Sequence, residues 1–121
     1  MKILVADDSK AMRMIVVRTL RQAGYTGHEV LEAQDGKEAF AMARSLFPDL
    51  ILSDWNMPEM NGIDFLKALR GTGDTTPFCF VTSEGSDEMR AIARQAGALA
   101  LIAKPFTAET FTEVLSPVVR A

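Results

Sequence analysis

The stretch Leu50-Ile51-Leu52-Ser53-Asp54-Trp55-Asn56-Met57-Pro58 constrains the fold most, because a run of branched apolar residues ends abruptly at a carboxylate. Opened by Pro48 and closed by Pro58, the run reads as a strand buried on both faces, the kind found inside a parallel sheet. Asp54 would then stand at the carboxyl end of its strand. In open α/β sheets, ligands bind in the crevice outside that edge.

The same grammar recurs along the chain. Ile3-Leu4-Val5-Ala6 ends in Asp7-Asp8, Phe78-Cys79-Phe80-Val81 ends in Thr82-Ser83-Glu84, and Leu99-Ala100-Leu101-Ile102-Ala103 ends in Lys104-Pro105. Residues 28–33 are mixed in polarity and fit an edge strand, where polar side chains are tolerated. His28 has no second ligand nearby in sequence and reads as a surface or strand residue. Between these strands lie five helical patterns. Ser9 opens the first, with Met12, Ile15, Val16, Leu20 and Ala23 on its apolar face, and Gly24 ends it. Asp35 with Glu38 resembles a capping box before Ala39, Met42, Ala43 and Leu46. Asn61 caps a short helix that buries Ile63, Leu66 and Leu69. Ser86 caps one with Met89, Ile92, Ala93 and Ala96 inward. Thr107 opens the last, with Phe111, Val114, Leu115 and Val118 inward. Pro117 would stop or kink it near Ser116.

Strict alternation of strands and helices with short connections predicts a doubly wound (βα)5 sandwich around a five-stranded parallel sheet, one domain over residues 1–121. A chain of 121 residues buries enough surface to need no staple. The single Cys79 excludes an intramolecular disulfide and sits in an apolar run as a small hydrophobe. A net charge of −3 without a basic run argues against a nucleic-acid surface. No signal peptide is expected, and no apolar stretch approaches the ~18 residues of a membrane span, so the expected compartment is the cytoplasm.

Collecting the strand ends places Asp7, Asp8, Asp54, Thr82 and Lys104 on one edge of one sheet. Like charges about 4 Å apart repel by ~4 kcal/mol per pair at an effective dielectric near 20. Three converging acids with one lysine therefore call for a divalent cation, and hard oxygen ligands with an incompletely filled shell suit Mg²⁺. Asp54 is then a carboxylate nucleophile of the aspartyl-phosphate type. Lys104 and the metal would neutralise the phosphoryl group, and Thr82 would donate its hydroxyl to it. Ser83 is a weaker candidate for that role. No Ser/His/Asp triad, Cys/His cluster or Gly-rich phosphate loop competes.

On Asp7-Asp8-Ser9, Ser53-Asp54-Trp55-Asn56-Met57-Pro58, Met60-Asn61-Gly62, Val81-Thr82-Ser83-Glu84 and Lys104-Pro105-Phe106, the chain resembles the response-regulator receiver domain of two-component signalling. The similarity extends to stand-alone chemotaxis regulators and covers the whole chain. The resemblance implies a flavodoxin-like strand order 2-1-3-4-5, which is the family's known order and is carried over from it. It implies that a histidine kinase phosphorylates Asp54. Asp8, Asp54 and the backbone carbonyl of Asn56 would bind Mg²⁺, with Asp7 acting through water. Lys104 would pair with the phosphoryl group or Asp54, and the Lys104-Pro105 bond would be cis. Asn56 and Glu84 match positions that tune loss of the phosphoryl group, which implies a short-lived phosphoprotein. Trp55, beside the acceptor, should report metal binding by fluorescence.

One position departs from the family. The switch aromatic, three residues before the site lysine, is Leu101 here, which has no ring to rotate. The expected partner surface is the fourth helix, fifth strand and fifth helix, with Ala100, Leu101 and Ala103 as small apolar contacts. A monomer that binds a downstream protein such as the flagellar motor switch is the expected signalling form. Two readings compete. One is a phosphate sink or phosphorelay intermediate, for which Leu101 matters little. The other is a metal-dependent phosphatase, which often needs an acid two residues after its nucleophile, where this chain has Asn56.

Overall fold

The computed structural model describes residues 1–118. In chain order the elements are β1 (Lys2–Ala6), α1 (Lys10–Gln22), β2 (Glu29–Ala33), α2 (Gly36–Leu46), β3 (Leu50–Ser53), α3 (Gly62–Gly71), β4 (Phe78–Thr82), α4 (Asp87–Gln95), β5 (Ala100–Ala103) and α5 (Ala108–Leu115). All strand pairs are parallel, in the order β2-β1-β3-β4-β5. The expected doubly wound sheet is therefore present.

Each helix begins where a side chain can take up an otherwise unpaired amide. Ser9, Asp35, Asn61, Ser86 and Thr107 accept from the amides of Met12, Glu38, Asp64, Met89 and Thr110. Caps of this kind each contribute about 1 kcal/mol. Gly24 and Gly97, at φ 97° and 101°, supply the left-handed turn that follows α1 and α4. The cap of α5 is Ser116, so the helix stops before Pro117 as expected.

Strand alternation sorts the core into two layers. Leu4, Ala6, Ile51, Phe78, Phe80 and Leu101 face α2, α3 and α4, while Ile3, Val5, Leu50, Leu52, Cys79, Val81 and Ile102 face α1 and α5. Phe65 and Phe78 meet edge to face at 5.3 Å, and Phe78 and Phe80 at 5.0 Å. Burial raises the Cys79 thiol to about 12, in keeping with an inert core residue. No helix of the described residues is long and apolar enough to cross a membrane.

Several apolar residues expected inward are exposed instead: Ile15, Leu46, Ile92 and Val118. Ile15 and Ile92 stand at the margins of narrow stripes whose buried members are Val16, Thr19 and Leu20 in α1 and Ala93 in α4. Leu46 is the last residue of α2, and Val118 lies beyond the end of α5. Leu99 precedes β5 and is also exposed. Thr19 can be buried because its hydroxyl donates to the Ile15 carbonyl at 2.8 Å.

The register places the strand ends side by side. Ala6 pairs with Ser53, and Thr82 with Ala103. Just past these pairs, the amide of Asp7 donates to Ala33 O at 3.0 Å, that of Asp54 to Ala6 O at 2.8 Å, and that of Lys104 to Thr82 O at 2.8 Å.

Candidate active site at the carboxyl edge of the sheet

Asp7, Asp8 and Asp54 each offer a carboxylate oxygen to a group whose atoms lie within 4.8 Å of one another. The three differ in setting. Asp7 is buried and tied on both oxygens: Oδ1 accepts from the Ser9 amide at 2.9 Å, and Oδ2 from Lys104 Nζ at 3.4 Å. Its carbonyl accepts from Arg13 Nη1 at 2.7 Å, while Arg13 Nε donates to Glu32 Oε1 at 2.9 Å. Asp8 is exposed.

Asp54 is half-buried at the centre of the group. Its Oδ1 accepts from the Trp55 amide at 2.8 Å, and its Oδ2 stands 3.9 Å from Lys104 Nζ. Burial pushes its carboxyl above the usual range. Lys104 opposes that, Asp7 reinforces it, the Trp55 amide opposes it, and Asp8 adds a smaller repulsion. Among the described residues, Lys104 is the cation that forms ion pairs with these acids. The cluster is thus short of positive charge.

Thr82 is fully buried at the end of β4, and its Oγ1 accepts from the Glu84 amide at a long 3.5 Å. Ser83, Glu84 and Asn56 lie exposed on the rim. The Lys104-Pro105 bond is cis. Trp55 packs on Phe80 with ring centroids 4.7 Å apart. Leu101 departs from its expected place in a contact surface: it is buried and faces the α2–α4 layer, whereas Ala100 packs on the opposite layer. The period of two along a strand makes that separation unavoidable.

Three contributors were given no such role in the sequence reading. The Ser9 amide fixes Asp7, Arg13 fixes the backbone beside it, and Gly62 closes the loop after Asp54. The Gly62 amide donates to Trp55 O at 2.7 Å, and a Cβ at Gly62 would collide with the Asp54 carbonyl and come within 2.9 Å of the Phe80 ring. The glycine directly after the helix-capping Asn61 was the available signal.

A doubly wound parallel sheet with an acidic cluster, a lysine and a buried threonine at its carboxyl edge defines the class of fold and site. The chain belongs to the response regulator receiver domain family, whose profile matches residues 3–116. It is 41% identical over 120 residues to a protein named Chemotaxis protein CheY-3 from Vibrio cholerae, covering 98% of this chain and 91% of that one. It is 40% identical over 121 residues to Chemotaxis protein CheY1 of Helicobacter pylori, covering 98% and 96%. Among solved structures, chemotaxis response regulator CheY4 of Vibrio cholerae superposes with a TM-score of 0.84 at 40% identity, covering 98% of each chain. The receiver domain of the putative response regulator NarL from Mycobacterium tuberculosis gives 0.85 at 27% identity, covering 96% and 93%.

Proposed function

We propose that the protein is a response regulator of the chemotaxis type, with one receiver domain over residues 1–121, acting as a cytoplasmic monomer. A histidine kinase's phosphohistidine is the donor. Asp54 attacks the phosphorus, the P–N bond breaks as the P–O bond forms, and the imidazole leaves with the electron pair. The observation that carries this reading is the close approach of Asp7, Asp8 and Asp54 against the single ammonium of Lys104.

The donor set fits Mg²⁺, which takes hard oxygen ligands and commonly retains waters. Asp8, Asp54 and the backbone carbonyl of Asn56 would hold it, with Asp7 reaching it through water. When bound, it supplies charge neutralisation for the transferring group. Lys104 moves its ammonium towards the phosphoryl oxygens, and the Thr82 hydroxyl donates to one of them. Asn56 and Glu84, exposed on the rim, govern the access of hydrolytic water and so the lifetime of the phosphoryl group. The protein is not a turnover enzyme in this reading. It catalyses its own loading and unloading, and signals by binding a downstream protein, such as the flagellar motor switch, through α4, β5 and α5.

Incubation with a small acyl or amido phosphate and Mg²⁺, followed by intact mass, tests the chemistry. The wild type gains one phosphoryl group and Asp54→Asn gains none. Equal labelling of the variant would overturn the assignment. The buried Leu101, which has no ring to move, favours a second reading as a phosphate sink or relay intermediate. Partner capture with and without beryllofluoride separates the two, since a sink retains no phosphorylation-dependent partner beyond its kinase.

A further inference from the structure

Arg90 occupies a place in this fold that the phosphoryl chemistry does not explain. From the first turn of α4 its side chain reaches across to the sheet, where Nη1 donates to the Leu101 carbonyl at 2.7 Å and Nε donates to the Gly85 carbonyl at 3.4 Å. One guanidinium thus spans the turn after β4 and the outermost strand of the sheet. Gly85 follows Thr82 by three residues, and Leu101 precedes Lys104 by three. The side chains that would touch a phosphoryl group are therefore each one short segment away from an Arg90 acceptor.

The packing at Gly85 is close. A Cβ there would stand 3.0 Å from Ala103 Cβ, 3.3 Å from Arg90 Nη2 and 3.8 Å from Leu101 Cδ2. The turn, the guanidinium and β5 therefore leave little room for a side chain at Gly85. The two Arg90 bonds are unequal: the one to Leu101 is short, and the one to Gly85 is near the limit of a hydrogen bond. The Thr82–Glu84 bond within the same turn is also long, at 3.5 Å. The turn is the weakly held partner, and the β5 carbonyl the firmly held one.

We propose that Arg90 is a positioning residue that couples the occupancy of Asp54 to the outer edge of β5, a task that Leu101 cannot perform by rotating a ring. The proposal rests on Asp54 being the phosphoacceptor. When Thr82 turns its hydroxyl to a phosphoryl oxygen, the Thr82–Gly85 turn follows it towards Asp54. The contact from Arg90 to Gly85 breaks, the fork loses its second anchor, and β5 is held less firmly along an edge that already lacks a neighbouring strand. Lysine cannot substitute, because one ammonium does not reproduce a fork that spans two carbonyls.

Amide hydrogen exchange over residues 99–103, with and without beryllofluoride and Mg²⁺, tests this in the wild type, Arg90→Ala, Arg90→Lys and Gly85→Ala. Intact mass after reaction with a small phosphate donor is measured in parallel. All four chains are expected to load at Asp54, since none of the substitutions replaces the acids, Thr82 or Lys104. In the wild type, beryllofluoride should speed exchange in β5 by about threefold, the lower end of what one hydrogen bond contributes, since the bond that breaks is a long one. In both Arg90 variants exchange should be fast beforehand and change little on loading. Gly85→Ala, whose new methyl displaces the guanidinium, should be fast without beryllofluoride. A merely structural brace would raise both rates and preserve their ratio, and a ratio unchanged from wild type in Arg90→Ala overturns the proposal. A wild-type chain that loads but shows no response in β5 overturns it equally. Failure of the wild type to load with any donor defeats the phosphoacceptor reading itself, and the coupling with it.

Discussion

Lys104 Nζ stands closer to Asp7, at 3.4 Å, than to Asp54, at 3.9 Å. In the unmodified protein the ammonium is shared, and the more deeply buried acid holds the larger part. It is free to transfer its pairing to a phosphoryl group on Asp54 without travelling far. Lys104→Met should therefore slow loading by roughly a hundredfold, the usual loss when one preorganised charge is removed from a reacting centre. Mg²⁺ binding should survive the substitution. A time course of intact mass with a small phosphate donor, alongside metal titration, checks both.

The raised carboxyl of Asp54 makes a statement about stability. A carboxylate whose folded value lies above its unfolded value leaves the native state holding more protons between the two, so stability falls as pH rises through that window. The penalty is fully present above the folded value and absent below the ordinary aspartate value of about 3.9. Asp54→Asn should consequently be more stable than wild type at neutral pH in metal-free buffer, with the gain shrinking to nothing in strong acid. Solvent screening keeps the effect modest, because the group is only half-buried. Denaturant midpoints of the two chains from pH 3 to 8 give the comparison, and a gap that widens on acidification would contradict the assignment.

Trp55 should report on the acids beside it. Its amide is bonded to Asp54 and its ring rests on Phe80, so a cation drawn to Asp8 and Asp54 alters the field at the indole. Titration with Mg²⁺ is expected to change emission in a saturable way. Asp8→Asn should weaken the apparent affinity by at least about tenfold, the smaller end of what even indirect partners of a metal contribute. An emission unmoved by Mg²⁺ would remove the support for a metal site here.

Gly62→Ala should be among the more damaging single methyl additions in the chain. The new carbon meets the Asp54 carbonyl and the Phe80 ring, and neither is a flexible side-chain end. A cost of roughly 3 kcal/mol is expected, at the upper end of ordinary overpacking. Thermal unfolding should show it as a fall of about 10 °C or more. Because the clash falls on the backbone of Asp54, loading should decline even where the variant remains folded.

Much of this arrangement can be read from the order of residues. Every strand but the mixed β2 is a short apolar run that stops at a polar side chain, and each helix announces itself with a capping oxygen at Ser9, Asp35, Asn61, Ser86 or Thr107. The edge holding Asp7, Asp8, Asp54, Thr82 and Lys104 follows once those runs are laid parallel. Helix faces are harder to read, because a period of 3.6 defines the middle of a stripe better than its margins; Ile15 and Ile92 lie on the wrong side of that border. Long cationic side chains are harder still. Nothing in the sequence announces that Arg13 reaches back to the Asp7 carbonyl, that Arg70 donates to the carbonyls of Asp74, Thr76 and Gly97, or that Arg90 reaches Leu101. Their targets are backbone oxygens, which every residue has, and only the fold selects among them.

The reactive edge is gathered from β1, β3, β4 and the turn after β5, segments that lie far apart along the chain. The edge is therefore complete only when the segment after β5 is in place. Without the segment after β5, Asp54 would stand beside Asp7 and Asp8 with no ammonium of Lys104 to offset their repulsion. On the proposed function, a chain without that segment would be a poor recipient for any donor, because the incoming group would meet uncompensated acids.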